Sequence, residues 1–311
     1  MVPSRISPQP DAAQVGRALR ASTEARELPW GSRFFRQVRG YLRGSVLNGV
    51  ALFLVAVVLF LAFFGRSIAP HPPTAMDLAQ RLRAPSLAHP FGTDEFGRDL
   101  LSRVIAGASI SMRAAATVLV LASGVGFVVG CSAGLLGGWV DEILMRVTDL
   151  FLAFPALVLA IAVAATLGPS LTNTMIALST VYWPWYARLI RGQVLSLRER
   201  DYILAARCIG ASTARIVWRH LLPNVLPILI TQLTLDVGYV VLSTAGLSFL
   251  GLGAQPPTPE WGAMIMTGRG YMRESWWYTT FPGLALAWTV LGFNLLGDGL
   301  RDFLDPRLRE L

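Results

Sequence analysis

The sequence predicts an all-α, polytopic membrane protein with six transmembrane helices, and three observations predict it. Only 15% of the residues are charged and 53% are hydrophobic, with a mean hydropathy of +0.52; soluble domains carry about 25% charged residues. Six stretches are long and apolar enough to cross a hydrocarbon core, which takes about 20 helical residues. The arginines are distributed unevenly among the segments that join those stretches.

Residues 1–44 are polar, hold eight arginines and contain no apolar core with a small-residue cleavage site. They read as a cytoplasmic N-terminal extension, and the stretch Arg33–Arg43 suits anionic lipid at the inner leaflet. Residues 45–106 hold the first span, Val46–Phe64, and an external loop. The core, residues 107–304, holds the other five. The second span is roughly Ala108–Leu136 and carries Gly126, Gly130, Gly134 and Gly138 at four-residue spacing, a stripe that lets another helix approach closely. Packing within the chain and packing against a partner subunit both fit the stripe. The uncharged run Leu150–Ala187 is too long for one span and is divided at Gly168-Pro169-Ser170. It gives a third span, roughly Trp139–Leu167, and a fourth, Leu171–Ile190. The fifth is roughly Val225–Leu252 and the sixth Phe281–Leu300. Aromatic clusters at Tyr182–Tyr186 and Trp276–Tyr278, with Trp261 and Met264 beyond Pro256–Pro259, are expected at the headgroup level.

Arginine placement orients the chain. With the N-terminus inside, nineteen arginines fall in inside segments, seven in outside loops, and Arg113 near the outer end of span two. Both termini, including residues 305–311, are then cytoplasmic.

The chemistry available is narrow. All 27 basic residues are Arg, which excludes a Schiff-base lysine and a phosphate loop ending in GK[ST]. If ATP powers this protein, another chain hydrolyses it. No HExxH, GxSxG or acid–histidine pairing points to catalysis. His71, His89 and His220 are scattered, as are Cys131 and Cys208, so neither a metal site nor a disulfide is expected. Asp149 and Asp236 fall near the middle of spans three and five, where acids are costly and face a bundle interior or a wet cavity. Each either lines a translocation pathway, meeting a cationic group of a solute, or finds a structural partner. For Asp149, Arg146 lies at the spacing of an i,i+3 pair. Asp94, Glu95 and Arg98, in a loop with turns at Gly92 and Gly97, either touch an external protein or form a self-packed loop.

The stretch Leu197–Asn224 lies between spans four and five, on the cytoplasmic side. It reads as two short helices, one from about Glu199 to Ile209 capped by Gly210, the second starting at Ser212 and ending before Pro223. Ile203, Ala206, Ile209, Ile216 and Val217 offer an apolar face, with five arginines around it. Such a knob suits docking on another protein.

This loop resembles the coupling motif of ABC importer permeases: EAA, three residues, G, nine residues, then I-x-L-P. Ala205, Ala206, Gly210, Leu222 and Pro223 match in register, with Arg207 and Ala211 beside them; Leu204 stands at the Glu position and His220 at the Ile position. Three further segments, His89–Ser111, Ser248–Met264 and Phe293–Arg309, together with Arg146–Ile161 in span three, are similar to the C-type permease of the dipeptide, oligopeptide and nickel class. The resemblance covers about residues 45–309. It implies a type I ABC importer permease fold in a bacterial inner membrane. It also implies a homologous B-type permease, two ATP-binding subunits that use ATP and Mg, and an external substrate-binding protein. No cofactor in this chain and no nucleic acid are implied. The cargo would be di- or oligopeptides, or else nickel chelates or glutathione. A stand-alone secondary transporter or channel is the reading from another class.

Overall fold

The computed structural model describes residues 45–304; the predicted extension 1–44, with Arg33–Arg43, and the C-terminus 305–311 lie outside the described residues. By compactness residues 1–49 and 50–311 are separate units. The described part of the first is a turn, Asn48 N–H to the Ser45 carbonyl, that opens a helix. The described residues are mainly helical, as predicted.

Helix α1 (Val46–Ile68) buries Ala51, Leu54, Val55 and Val58 and leaves Phe53, Phe60, Phe63 and Phe64 bare. One protein-facing stripe on an otherwise apolar helix is what a lipid-facing span needs. Helix α2 (Leu100–Leu136) starts where the Asp99 carboxylate accepts the Ser102 N–H at 2.8 Å, an N-cap. Its 37 residues reach about 55 Å, well beyond the hydrocarbon core. It stops at Gly137, whose φ of +65° disfavours residues with a side chain.

The third predicted span, Trp139–Leu167, is not one helix. It is α3 (Gly138–Leu152) and α4 (Ala156–Leu167), set at 87°. The break falls at Pro155, which has no N–H to donate and disfavours helical geometry at Phe154.

Helix α5 (Leu171–Arg198) packs along α2. A Cβ at Gly126 would lie 2.4 Å from Tyr186 Cβ, one at Gly130 2.5 Å from the Ala187 carbonyl oxygen, and one at Gly134 2.7 Å from Val194 Cγ1. The stripe therefore serves packing within the chain. In lipid, burial gains little from the hydrophobic effect, so close approach through small residues carries more of the association. Gly138 is not part of the stripe: it lies beyond the break, in α3, with open space around it. Helix α5 is long enough to span at 28 residues, yet it carries Arg188, Arg191 and Arg198 and is less apolar than the others. Four helices pass on length and composition, and the bent α3–α4 pair, counted as one span, brings the number to five, against the six expected. Helices α2, α3 and α4 pack against α5, so less of it faces lipid.

Two short helices follow, α6 (Asp201–Cys208) and α7 (Thr213–Ile216). A π turn at Val217–Leu221 then leads into α8 (Leu222–Phe249). The second loop helix thus does not end before Pro223: Thr213–Phe249 is one continuous 37-residue helix. The π turn explains how. Leu222 N–H reaches back to the Val217 carbonyl, widening the helix just before a proline that could not donate. Helix α9 (Trp261–Gly268) follows Glu260, and α10 (Trp277–Leu304) closes the described chain. Helix α10 packs on α8, where Gly297 faces Leu235, and on α1, where Gly292 faces Leu54 and Trp288 Nε1 donates to the Leu54 carbonyl at 3.1 Å. The main core joins α2, α5 and α8 through Val118, Leu178, Ile190, Val240 and Leu247.

Candidate functional site

The loop between α5 and α8 is rooted on one side and open on the other. Asp201 in the first turn of α6 and Arg207 in its last both suit the helix dipole. Gly210, at φ +78°, ends α6. Ala211 N–H bonds the Ala206 carbonyl at 3.0 Å and Gly210 N–H the Arg207 carbonyl at 2.9 Å, a Schellman turn. Ser212 then caps α7, accepting the Arg215 N–H at 3.4 Å. The predicted apolar face is split. Ile203, Ala206 and Ile216 are buried against the body, while Ile209 is 85% and Trp218 67% exposed. Ala205, Arg207, Gly210 and Pro223 are exposed, and Ala211 and Leu222 are half-buried. Between α6 and the π turn lies a groove of about 530 Å³, lined by Tyr202, Ala205, Ile209, Ala211, Arg215 and His220. It holds cationic and apolar groups and no acid. Among the described residues Arg207, Arg215 and Arg219 make no ion pair.

Arginines of α5 fasten the root of this loop to the body. Arg191 grips both oxygens of Asp141 at 2.5 and 2.6 Å, and Arg198 Nη1 donates to the Gly134 carbonyl at 3.0 Å. Arg188 Nη2 bonds Asp149 at 2.5 Å. Asp149 is therefore paired across helices with Arg188, not along its own helix with Arg146, which pairs with Glu142 at 3.6 Å. Asp236, on α8, accepts the Tyr186 hydroxyl at 2.6 Å and the Gln232 amide at 3.0 Å. Among the described residues no cation lies within ion-pair distance of it. Both acids thus reach α5 two residues apart, one through a charge and one through a phenol. The cross-helix partners Arg188 and Arg191 escaped the sequence reading, because the α3–α4 break that aims α3 at α5 is a tertiary feature, as is the α5–α8 contact that brings Tyr186 to Asp236.

The opposite end of α2 is closed. Asp94 takes Arg98 Nε at 2.6 Å, with Arg103 Nε at 3.3 Å, and all three side chains are buried. Glu95 accepts Arg98 Nη2 at 3.0 Å and the Tyr278 hydroxyl. Gly97, at φ +71°, lies so close to the Asp77 carbonyl that a Cβ would be 1.7 Å from its oxygen. The self-packed loop is the alternative that holds. Trp261, Met264, Trp277 and Tyr278, expected at the headgroup level, are buried in the protein instead. Their polar atoms have protein partners: Trp261 Nε1 donates to the Val104 carbonyl at 2.9 Å and Trp277 Nε1 to the Thr93 carbonyl at 3.3 Å. Tyr186 is likewise fully buried, while Trp185 stays exposed as expected. Glu260 caps α9 by accepting the Gly262 and Ala263 N–H groups at 3.0 and 2.9 Å. Burial pushes its carboxyl above the ordinary range, and those bonds oppose the shift. Cys131 is buried, Cys208 exposed, and both are free thiols.

Comparison with known proteins places these features in context. The family profile described as "Binding-protein-dependent transport system inner membrane component" matches residues 126–310. A probable D,D-dipeptide transport system permease protein of Escherichia coli K12 is 48% identical, over 86% of this chain and 89% of its own. A dipeptide transport system permease protein of Alkalihalophilus pseudofirmus is 41% identical, over 91% of each. A nickel transport system permease protein of Escherichia coli K12 is 44% identical, over 83% of this chain and 94% of its own.

Proposed function

The chain belongs to the binding-protein-dependent transport system inner membrane components, and from that premise we propose how this importer permease couples ATP to the movement of a peptide-like solute. Loop 195–224 docks on a separate ATP-binding subunit. The observation that carries this is the Schellman turn at Gly210, which holds Ile209 out beside a groove at the root of α8. An exposed apolar residue ringed by arginines without acidic partners suits a partner surface of matching shape and negative charge. Two such subunits bind and hydrolyse ATP with Mg, a B-type permease completes the pathway, and an external binding protein delivers the cargo. The loop and both termini face the cytoplasm, as the arginine distribution supports.

When the ATP-binding subunits close, they displace the loop. Helix α8 is continuous with it, so the displacement passes to Asp236. Among the described residues that carboxylate has no cation of its own, which favours it as the group that meets the amine of a peptide. Asp149 is answered by Arg188 and serves structure. Peptide cargo is favoured by the dipeptide relatives.

The test is purification of the tagged chain from its native membrane, followed by reconstitution. We expect a second permease and two ATP-binding chains to come with it, and uptake of labelled dipeptide to require ATP. Ile209→Asp should release the ATP-binding chains while the permease stays in the membrane. Uptake by this chain alone, without ATP, would instead establish a channel or secondary transporter. Mass spectrometry of the ligand stripped from the binding protein would name the cargo.

A further inference from the structure

Three ligating side chains, far apart in sequence, converge where the chain leaves α1 and enters α2. One ring nitrogen from each of His71 and His89 and one carboxylate oxygen of Asp99 all lie within 4.8 Å of one another. This is the cluster that the scattered histidines gave no reason to expect.

Hydrogen bonding fixes which ring nitrogen of His89 carries a proton. Gln80 Nε2 donates to Asp77 Oδ2 at 3.0 Å, so its carbonyl oxygen is the atom facing His89 Nε2 at 2.9 Å. His89 Nε2 must therefore carry the proton. In the neutral ring Nδ1 is then a lone pair, and it faces Asp99 Oδ1 at 2.9 Å. Two lone pairs at that distance repel unless something positive lies between them. A proton on His89 would answer that contact and nothing more. His71 Nδ1 is also buried, has no hydrogen-bond partner, and lies 3.7 Å from Asp99 Oδ2. One cation would satisfy all three groups.

The surroundings fit a bound ion. Asp99 Oδ2 accepts the Ser102 N–H at 2.8 Å and its hydroxyl at 2.6 Å, which fixes the carboxylate and leaves Oδ1 to ligate. Ser102 Oγ also accepts the His71 backbone N–H at 3.0 Å. Such outer bonds orient the ligands of metal sites. The His71 side chain is 43% exposed, which gives an entry path and room for water in a fourth position. Two imidazoles and a carboxylate select a borderline divalent ion. Bonds of about 2.0 Å place donor atoms about 3.3 Å apart, so donors that now lie within 4.8 Å of one another would have to close in by up to about 1.5 Å.

We propose that His71, His89 and Asp99 bind one Zn²⁺-like divalent cation, which clips the end of α1 to the start of α2. The inference does not depend on the transport reading.

The experiment uses the full chain in its native assembly, with Cys208→Ser to remove the exposed thiol. Zn²⁺ alone is titrated in competition with a chromogenic chelator, and Co²⁺ is used as a spectroscopic probe. We expect one site assigned to this chain, and visible tetrahedral Co²⁺ bands. His71→Ala, which leaves the Asp99 cap and the His89–Gln80 bond intact, should weaken Zn²⁺ at least about tenfold and abolish those bands. Zn²⁺ binding unchanged by His71→Ala would overturn the proposal. So would the absence of a site together with a His89 imidazolium seen by NMR at neutral pH, which would make the cluster a plain ion pair.

Discussion

The two ends of α2 solve the problem of charge in opposite ways. At its N-terminal end Asp94, Arg98 and Arg103 are buried and paired by charge with one another, and the tryptophans around them bond main-chain carbonyls. Near its C-terminal end lies the loop 201–220, whose Arg207, Arg215 and Arg219 have no acidic partner among the described residues and whose Ile209 and Trp218 stand bare. The charges of the Asp94 cluster at the first end are answered within one chain. The second is rooted by Ile203, Ile216 and Leu221 and open on its outer side. Substitutions at the closed end should therefore cost stability, and those at the open end should cost assembly.

The largest effect should come from the closed end. Arg98→Ala leaves the Asp94 carboxylate buried with one cation fewer, and about 3–5 kcal/mol should be lost, seen as a collapse of membrane level and of thermal stability in detergent. Retention of both would mean that water reaches the cluster. Between the two ends, Gly130→Leu drives a side chain into the Ala187 carbonyl; overpacking of this kind costs about 1–3 kcal/mol, and cross-linking between α2 and α5 would report their separation.

A smaller effect, with a definite sign, should come from Glu260. Its folded carboxyl titrates above the ordinary range, so the folded state holds the proton more tightly than the unfolded chain. Its contribution to stability is therefore greatest below the unfolded pKa and is lost as pH rises through the folded one. Glu260→Gln should flatten that limb of a thermal-unfolding profile against pH. The smallest stability change should come from Ile209→Asp, within about 0.5 kcal/mol, while the ATP-binding subunits proposed to dock there are lost from the purified complex. If Ile209→Asp unfolded the chain, the contrast between the ends would fail.

How legible this was in the sequence differs by residue. The spans of α1, α2 and α10 follow from uncharged runs, and the Gly210 turn and Ser212 cap follow from local chemistry that the structure repeats. The Gly126–Gly134 stripe showed that a helix comes close without saying which one. What stayed hidden depends on tertiary direction. Pro155 looked like an ordinary residue of an apolar run, yet the bend there turns Asp149 toward Arg188. Trp261 and Trp277 have the residue type of interface anchors, and only the carbonyls of Val104 and Thr93 show why they are inside. His71, His89 and Asp99 span 29 positions, so no local spacing announces their meeting.

The continuity of Thr213–Phe249 has a mechanical consequence. A rod of about 55 Å turned by about 5° moves its far end by about 5 Å. At that far end Ala245 lies against Gly262, where even a Cβ would come within 2.2 Å of the Ala245 carbonyl oxygen. A joint with no slack passes on whatever reaches it. A turn of this helix at its loop end would therefore be felt at Ala245 and at the Trp261–Gly262 segment packed on it.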